Sequence, residues 1–401
     1  MIRVKINNVL QKKQEYELAL TDLVASRVSV LRQSLSHLNG VAIDFTTGDF
    51  VSFRAVTRHI VNIVGDVINI PNGQMAYSDA INNYRASANN LGNINTPGLM
   101  QLCDHLLVNN EQQLRNLLVE DASSLINLNN AILNNHGVNT PLNIDTIKLA
   151  FDYQKYDEIA TAIKTYFRTN SFTKFCSYCN VEPVTHQTNV AGEVVRSYQL
   201  DHFYDKSRHP LLAYSLFNLV PSDHHCNVTN KGVTQFTDDF HLNPHHMGYA
   251  DRISFTPIGI TTAFEVSNIE LRILEAQGTA LYRQMNGNNQ PNEEQGELGN
   301  LNVFKIRSKY SDKLHRASTI LKILHNKNTY FKHLNKYLKN LNGLDRKNNY
   351  LKWYEKELDV QFKSIDFNGK AFSKFSRDIH DFYFQNNRTR WNRYILELIN
   401  D

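Results

Sequence analysis

Three cysteines have a spacing that could bind a metal ion. Cys176 and Cys179 form the sequence CSYC, in which two thiolates can bind one tetrahedral ion, and Cys226 supplies a third sulfur. The residues before Cys226 offer Asp223 or His224 as a fourth ligand. His224 has the more usual chemistry, because three cysteines and one histidine form an ordinary zinc site, whereas Asp223 has the spacing of a second CxxC. The sequence therefore predicts a structural zinc site and leaves its fourth ligand open.

A second group of side chains has the chemistry of a hydrolytic site. Asp201 and His202 follow an alternation of apolar and polar residues, which predicts that they end a strand. A carboxylate oxygen beside an imidazole suits a hard divalent cation with a base next to it. Asn227, in the first turns of a predicted helix, can bring an amide oxygen to the same cation. We therefore expect a strand end, a loop and a helix to converge there.

Helices are predicted for most of the first 170 residues. Apolar residues recur at spacings of three and four in three segments, 20–38, 99–133 and 144–167. Residues 41–53 and 59–73 could form strands or short helices, and their pattern does not decide. Cys103 lies on an apolar helical stripe and is predicted to be a core residue.

From residue 171 the pattern favours short strands. A hairpin is predicted to turn at Ala191 and Gly192, and residues 217–221 (FNLVP) form a short predicted strand. Ser222 or Asp223 can cap a following helix of about two turns, which Gly232 ends. A further β segment is predicted at 250–266, a flexible linker at 285–300 and helices from 304 onward, so the expected fold class is α+β and mostly helical.

Charge is unevenly distributed along the chain. Residues 301–401 contain 21 lysines and arginines and 10 acidic residues, whereas residues 1–170 contain 14 basic and 15 acidic residues. The basic segment predicts contact with a polyanion or, equally, a solvated helical face. Lysines interleaved with aromatic residues over 309–356 favour nucleic-acid contact. No run of eighteen apolar residues and no secretory leader are found in the sequence, so we expect a cytoplasmic protein. Its 401 residues are too many for one ordinary core and predict two or three domains.

The ordered motifs CSYC, LDHFYDKS, FNLVPS and CNVTNKG closely resemble those of the HNH endonucleases, whose core is a ββα-metal finger. The details HPLLAYS and LNP (242–244) resemble a bacterial subgroup that is often associated with anti-phage defence loci. The resemblance covers about residues 165–260. It implies a nuclease domain at 171–265 with a zinc knuckle, between a helical N-terminal region at 1–170 and a basic helical C-terminal region at 266–401.

The resemblance also implies a role for each matching residue. His202 would be the general base, while Asp201 and Asn227 would hold one Mg²⁺ or Mn²⁺. Asn218 would brace the loop that orients His202, and Lys231 would lie near the phosphate or the loop backbone. The zinc would be structural and held by Cys176, Cys179 and Cys226, with His224 or Asp223 as the fourth ligand.

The chain departs from the family pattern at two places. The family has a proline where this chain has Asp205, and it has a second cysteine in the second knuckle, where only Cys226 is present. The histidines 241, 245 and 246 have no acidic partner at a suitable spacing and are predicted to be surface or loop residues.

The expected function is metal-dependent hydrolysis of nucleic acid, with DNA favoured over RNA as the substrate. The nearly neutral N-terminal region is expected to bind a partner protein such as an ATPase. Two alternatives remain open from the sequence. One is a ribonuclease, for example a tRNA-cleaving toxin, and the other is a zinc-stapled nucleic-acid-binding module without catalysis.

Overall fold

The structure is a computed structural model, and it divides the chain into two compact units. The helical unit consists of Ile6–Ser171 and His202–Leu219, and the cysteine unit consists of Met1–Lys5, Phe172–Asp201 and Val220–Asp401. The described residues are 4, 6, 8–41, 50–152, 157–170, 173–188, 194–196, 198–248, 251–288, 298–326, 352, 356, 358, 360–361 and 370–386. The three regions predicted from the sequence, 1–170, 171–265 and 266–401, remain predictions about independent domains.

The helical unit confirms the helices that the apolar spacing predicts. Its α helices are α1 Val9–Leu38, α2 Phe50–Ile63, α3 Gln74–Ala86, α4 Thr96–Val119, α5 Leu125–Asn135, α6 Pro141–Lys148 and α7 Asp157–Thr169. Short 3-10 helices lie at Leu91–Asn93, Pro210–Leu212 and Leu216–Asn218. Cys103 is buried in α4, as its position on an apolar stripe predicts.

Two stretches of this unit add to the prediction. Helix α2 shows that residues 50–63 are helical, where the pattern left helix and strand open, and residues 42–49 lie outside the described part of the chain. The helical stretch 99–133 is interrupted within α4, because Asn109, Asn110 and Glu111 have left-handed backbone angles. Asparagine adopts this conformation more readily than most residues, so the Asn109–Asn110 pair is a natural place for the break.

The segment 202–219 is packed into the core of the helical unit. The buried Tyr16 of α1 donates its hydroxyl hydrogen to the backbone oxygen of Tyr214 at 2.6 Å. Ser215 donates its hydroxyl hydrogen to the backbone oxygen of Leu117 in α4 at 2.6 Å. Helices α1 and α4 therefore hold the segment that begins with His202 and includes Asn218.

Three two-stranded sheets occur in the described part of the chain. Strand β1 His186–Thr188 pairs antiparallel with β2 Val194–Arg196, which confirms the predicted hairpin, although its turn at Ala191 and Gly192 lies outside the described residues. Strand β3 Gln199–His202 pairs with β4 Leu219–Ser222, and β5 Ile253–Ile258 pairs antiparallel with β6 Asn268–Ile273. The strands predicted at 217–221 and 250–266 are thus present.

A seven-residue π helix, His225–Lys231, follows β4 and ends at Gly232, whose φ is 51°. The predicted cap is confirmed in part, since the backbone nitrogen of Cys226 donates to Asp223 Oδ1 at 2.9 Å. The remaining helices are α8 Ala280–Asn286, α9 Asn300–Val303, α10 Ile306–Ser311, α11 Leu314–His325 and α12 Ser373–Asn386. They confirm α+β with mostly helix as the fold class, while residues 289–297 and 327–350 lie outside the described range.

The three histidines at 241–246 lie in a loop, as expected, but two of them are not on the surface. His241 and His245 are buried, and only His246 is exposed. The ring of His241 stacks on Phe236 with 4.0 Å between the ring centroids, so the aromatic packing rather than solvent surrounds it.

Among the described residues, none of the helices combines the length and the apolar content that a membrane span needs.

Candidate functional site

The cysteine unit contains a buried cluster that could hold a metal ion. Its members are Cys176, Cys179, Asp223 and Cys226, and their ligand atoms all lie within 4.8 Å of one another. Two thiols come from the turn at 176–179, and the carboxylate and the third thiol come from the start of the π helix. Three sulfurs and one carboxylate oxygen from two chain segments give four donor atoms of kinds that bind metal ions, in a set less usual for zinc than three cysteines and one histidine.

The structure brings Asp223 to the three thiols and does not bring His224. Asp223 Oδ2 lies 3.6 Å from Cys179 Sγ, while its Oδ1 accepts the hydrogen bond from the backbone nitrogen of Cys226. His224 is exposed, and its Nδ1 lies 3.1 Å from Gln199 Nε2. Asp223 caps the π helix, so its carboxylate is turned towards the start of the helix and the sulfurs. The side chain of the next residue, His224, is exposed and points away from them.

The backbone of the cysteine turn is fixed by hydrogen bonds on both sides. The nitrogen of Asn180 donates to the oxygen of Cys176 at 2.8 Å, and the nitrogen of Cys176 donates to the oxygen of Glu182 at 2.8 Å. Asn180 has a φ of 56°, in the left-handed region that asparagine tolerates. The side chain of Asn180 accepts at Oδ1 from the nitrogen of Ser373, at the start of α12. The turn is thus held in place by its own backbone and by α12.

A lysine supplies positive charge to the cluster. Lys309 Nζ, from α10, lies 3.1 Å from Cys226 Sγ. Burial opposes the charge of Lys309, but Cys179 and Cys226 outweigh it and raise the lysine pKa above its ordinary value. Hydrogen bonds from Cys176 and Cys226 lower the pKa of Cys179 well below its ordinary value, whereas burial raises that of Cys176. The charge of Lys309 favours the thiolate form, which binds metals, at Cys179 and Cys226.

Asp201, which is predicted to bind the divalent cation, forms a buried ion pair. Lys231 Nζ lies 2.9 Å from Asp201 Oδ1 and 2.8 Å from Oδ2, and the two side chains are only 5% and 7% exposed for Lys231 and Asp201. Tyr178 donates its hydroxyl hydrogen to Asp201 Oδ2 at 2.5 Å. The structure places the Lys231 ammonium on the carboxylate, and its predicted contact with a phosphate stays a prediction.

Asn227 is fixed against the strand that carries Asp201. Its Nδ2 donates to Gln199 Oε1 at 2.7 Å, so the amide oxygen is the atom that it can offer to a cation. Carboxylate and amide oxygens suit a hard divalent cation. The oxygen donors of Asp201 and Asn227 therefore fit Mg²⁺ or Mn²⁺ in chemistry. To bind Asp201, such an ion must displace the Lys231 ammonium or lie beside it on the same carboxylate.

In the helical unit, the ring of His202 is oriented by a backbone carbonyl. His202 Nε2 lies 3.0 Å from the backbone oxygen of Ala213. A carbonyl oxygen can only accept, so Nε2 carries a hydrogen, and the basic lone pair of the neutral ring is then on Nδ1. The side chain is half-buried. This is the tautomer in which Nδ1 can act as a general base.

Asn218 holds the loop that carries the Ala213 carbonyl. Asn218 is fully buried; its Oδ1 accepts from the nitrogen of Tyr204 at 2.7 Å, and its Nδ2 donates to the oxygens of Tyr204 at 3.1 Å and Leu212 at 2.9 Å. These bonds fix the loop at Tyr204 and Leu212, next to Ala213. The geometry is that expected of a residue that braces the loop around His202.

Asp205, which stands at the proline position of the family, is used in the turn of this loop. The nitrogen of Ser207 donates to Asp205 Oδ1 at 2.9 Å, and the Ser207 hydroxyl also contacts the Asp205 carboxylate. An aspartate that hydrogen-bonds to the backbone two residues later forms an Asx turn, so the loop has a local restraint without proline.

Several residues at these sites were not singled out by the sequence. Tyr178 could have been noticed, because it lies inside the CSYC motif, and Gln199 precedes the Asp201 strand end by two residues. Lys309 is 83 residues from Cys226 and is one of six lysines and arginines in residues 305–325, so nothing in the sequence distinguishes it.

Comparisons of the chain with protein-family models, with curated proteins and with solved structures give no match. The function therefore has to be argued from the residues themselves.

Proposed function

We propose that this chain is a metal-dependent endonuclease of the HNH type, which hydrolyses phosphodiester bonds of nucleic acid, DNA before RNA. The observation that carries the proposal is the His202 ring, whose Nε2 contacts the Ala213 carbonyl on a loop held by the buried Asn218. A ring held in one tautomer, with its basic nitrogen on the other side, is suited to removing a proton from water.

The proposed chemistry divides the work between a base and a cation. His202 Nδ1 takes a proton from the attacking water, whose oxygen forms the new bond to phosphorus while the bond to the 3′ oxygen breaks. The cation, held by Asp201 and Asn227, would neutralise charge on the phosphate and on the leaving oxygen. The leaving 3′ oxygen takes a proton from solvent water, so the products are a 5′-phosphate and a 3′-hydroxyl end.

We assign zinc to the cysteine cluster as a structural ion. A site with four protein ligands has no open position for water, so it stabilises the fold and does not take part in the reaction. The ion would link the cysteine turn to the π helix, and the π helix carries Asn227. In this proposal Asp223 is the fourth ligand.

The charge of the C-terminal helices supports a polyanionic substrate. Residues 305–325 contain six lysines and arginines and one acidic residue. Lys305 and Arg307 are exposed at the start of α10, so positive charge lies at the surface there, whereas the exposed Lys322 of α11 is paired with Glu265. Phosphates attract such a surface in any nucleic acid. Action in anti-phage defence, with an ATPase bound by the nearly neutral region 1–170, is the corresponding proposal for the biological role.

A second candidate is a zinc-stapled nucleic-acid-binding module without catalysis. The buried ion pair of Lys231 and Asp201 favours it, because the ammonium already compensates the carboxylate and no further cation is required for charge balance. The two candidates differ in whether Asp201 binds a divalent ion.

The test is cleavage of supercoiled plasmid and of total RNA in Mg²⁺, with zinc content matched between variants. We expect His202→Ala to lose about 100-fold or more of the activity, the usual range for a general base. His246→Ala, which removes an exposed histidine, is the matched control and should cut like wild type. Equal cutting by the His202 variant and wild type would refute the proposal. A wild-type chain that binds the plasmid with Mg²⁺ and does not cut it would favour the binding module over a nuclease that acts without a partner.

A further inference from the structure

The hydroxyl group of Tyr178 connects the cysteine turn to the Asp201 carboxylate. Tyr178 lies between Cys176 and Cys179 in the chain, and its side chain is fully buried. Its hydroxyl group donates to Asp201 Oδ2 at 2.5 Å. A phenol has a pKa of about 10, so at neutral pH the hydroxyl group keeps its proton and can donate.

The ring that carries this hydroxyl group is held rigidly. Tyr178 stacks on Phe304 with 4.1 Å between ring centroids and 14° between the planes, and Phe236 contacts it edge-on at 6.4 Å. The preceding residue, Ser177, donates its backbone nitrogen to the oxygen of Pro221 in β4. The donor is thus fixed by packing on one side and by the turn of the cysteine cluster on the other.

Two donors converge on one oxygen of Asp201. Oδ2 accepts from both Tyr178 and Lys231, while Lys231 also contacts Oδ1. The plane of the carboxylate is set by these contacts, and Oδ1 is the oxygen that we expect a cation to bind. Groups that hydrogen-bond to a metal ligand commonly change metal affinity about 10–100-fold when they are removed.

We propose that Tyr178 is a positioning residue, which fixes the Asp201 carboxylate so that Oδ1 binds the divalent cation. The inference rests on the proposed function, because it requires Asp201 to be a cation ligand. The cysteine cluster would then affect the reaction as well as stability, because the turn that holds its ion also carries Tyr178, which orients Asp201.

The experiment measures Mn²⁺ binding by calorimetry and the Mg²⁺ dependence of plasmid cleavage in the zinc-loaded full chain. Tyr178→Phe removes the hydroxyl group and keeps the ring. Phe304→Leu is the matched control, because it weakens the stacking and keeps the hydroxyl group. Cobalt absorption reports whether the cysteine cluster is intact in each variant. A second pair, p-aminophenylalanine and p-methylphenylalanine at position 178, separates donation from volume, because both fill the position and only the first can donate.

For Tyr178→Phe we expect Mn²⁺ affinity to fall about tenfold or more. The half-saturating Mg²⁺ concentration should rise by the same factor, whereas the rate at saturating Mg²⁺ should fall less than threefold. The p-amino variant should bind Mn²⁺ like wild type, and the p-methyl variant should bind it like Tyr178→Phe. A residue needed only for packing would not produce this division between half-saturation and maximal rate.

Two results would overturn the inference in different ways. If Tyr178→Phe or the p-methyl variant binds Mn²⁺ as tightly as wild type, Tyr178 does not position Asp201, and the proposed nuclease stands. If Asp201→Asn binds Mn²⁺ as tightly as wild type, Asp201 is not a ligand, and the inference and the proposed cation site fail together.

Discussion

Replacing Lys231 by methionine tests how the buried charge of Asp201 is compensated. Methionine has a similar length and no charge, so the variant leaves a carboxylate that is 7% exposed without its ammonium partner. Removing one partner of a buried ion pair costs about 3–5 kcal/mol. The hydrogen bond from Tyr178 to the same carboxylate remains, so we expect a loss at the low end of that range, about 3 kcal/mol in the free energy of unfolding.

The assay is urea unfolding at fixed zinc content, with Lys231→Met and the double variant Asp201→Asn/Lys231→Met. The double variant has no buried charge at this place, and its amide oxygen can still accept from Tyr178. Its stability should therefore return to within about 1 kcal/mol of wild type, because replacing both members of a buried pair is often nearly neutral. This contrast separates the lost charge compensation from a general packing defect.

Addition of Mg²⁺ then distinguishes the two candidate functions. If Asp201 is a cation ligand, Mg²⁺ can replace the missing ammonium and should stabilise Lys231→Met by about 2.7 kcal/mol at 100 times its dissociation constant. The double variant should not respond. An unfolding free energy of Lys231→Met within about 0.5 kcal/mol of wild type would refute the charge argument, and a variant that is destabilised but unaffected by Mg²⁺ would favour the binding module.

Three further predictions concern single residues. Asp223→Asn should lower the metal content or the cobalt affinity of the cluster at least tenfold, because Asp223 lies with the thiols. His224→Ala should leave both unchanged, and the reverse result would make His224 the ligand. Asn218→Ala should cost about 3 kcal/mol in urea unfolding, because three buried hydrogen bonds are lost and their backbone partners stay buried; a loss below about 1 kcal/mol would contradict this. Burial lowers the pKa of His241 to about 3, so its neutral form is favoured on folding and stability is lost as the pH falls from about 6.5 towards 3. His241→Asn keeps an acceptor for the nitrogen of Thr237, and its stability should fall less steeply than that of wild type, by up to about 1.4 kcal/mol per pH unit near pH 5; equal slopes would contradict the assignment.

Local signals predicted the elements, and they failed where a choice depended on the direction of one side chain or on distant parts of the chain. Apolar spacing located α1 and α4, and the CSYC spacing located the two thiols of the cluster, because each depends on residues within a few positions of one another. The choice between Asp223 and His224 could not be made in this way. These neighbours differ in direction, and the direction is set by the hydrogen bond from the nitrogen of Cys226.

The lysine contacts show the same limit more clearly. Lys231 lies 30 residues from Asp201, and Lys309 lies 83 residues from Cys226. A basic residue in the sequence has the same appearance whether it faces solvent or a buried anion. The positive surface inferred from the sequence therefore stays a prediction, and the sequence could not identify Lys231 and Lys309 as lysines that contact buried groups instead.

The two buried anionic sites of the cysteine unit differ in what they require from a cation. At the cluster, three sulfurs and a carboxylate lie together, and the ammonium of Lys309 contacts one of the sulfurs. One positive charge from Lys309 is therefore shared by four groups that can bind a metal ion. At Asp201, one carboxylate meets one lysine, and the charges balance without an ion. In the proposed function, this difference means that an ion in the cluster would be held permanently, whereas a cation at Asp201 would compete with Lys231 and could exchange. A permanent ion suits a structural site, and an exchangeable ion suits a site that is completed only when substrate phosphate adds ligands of its own.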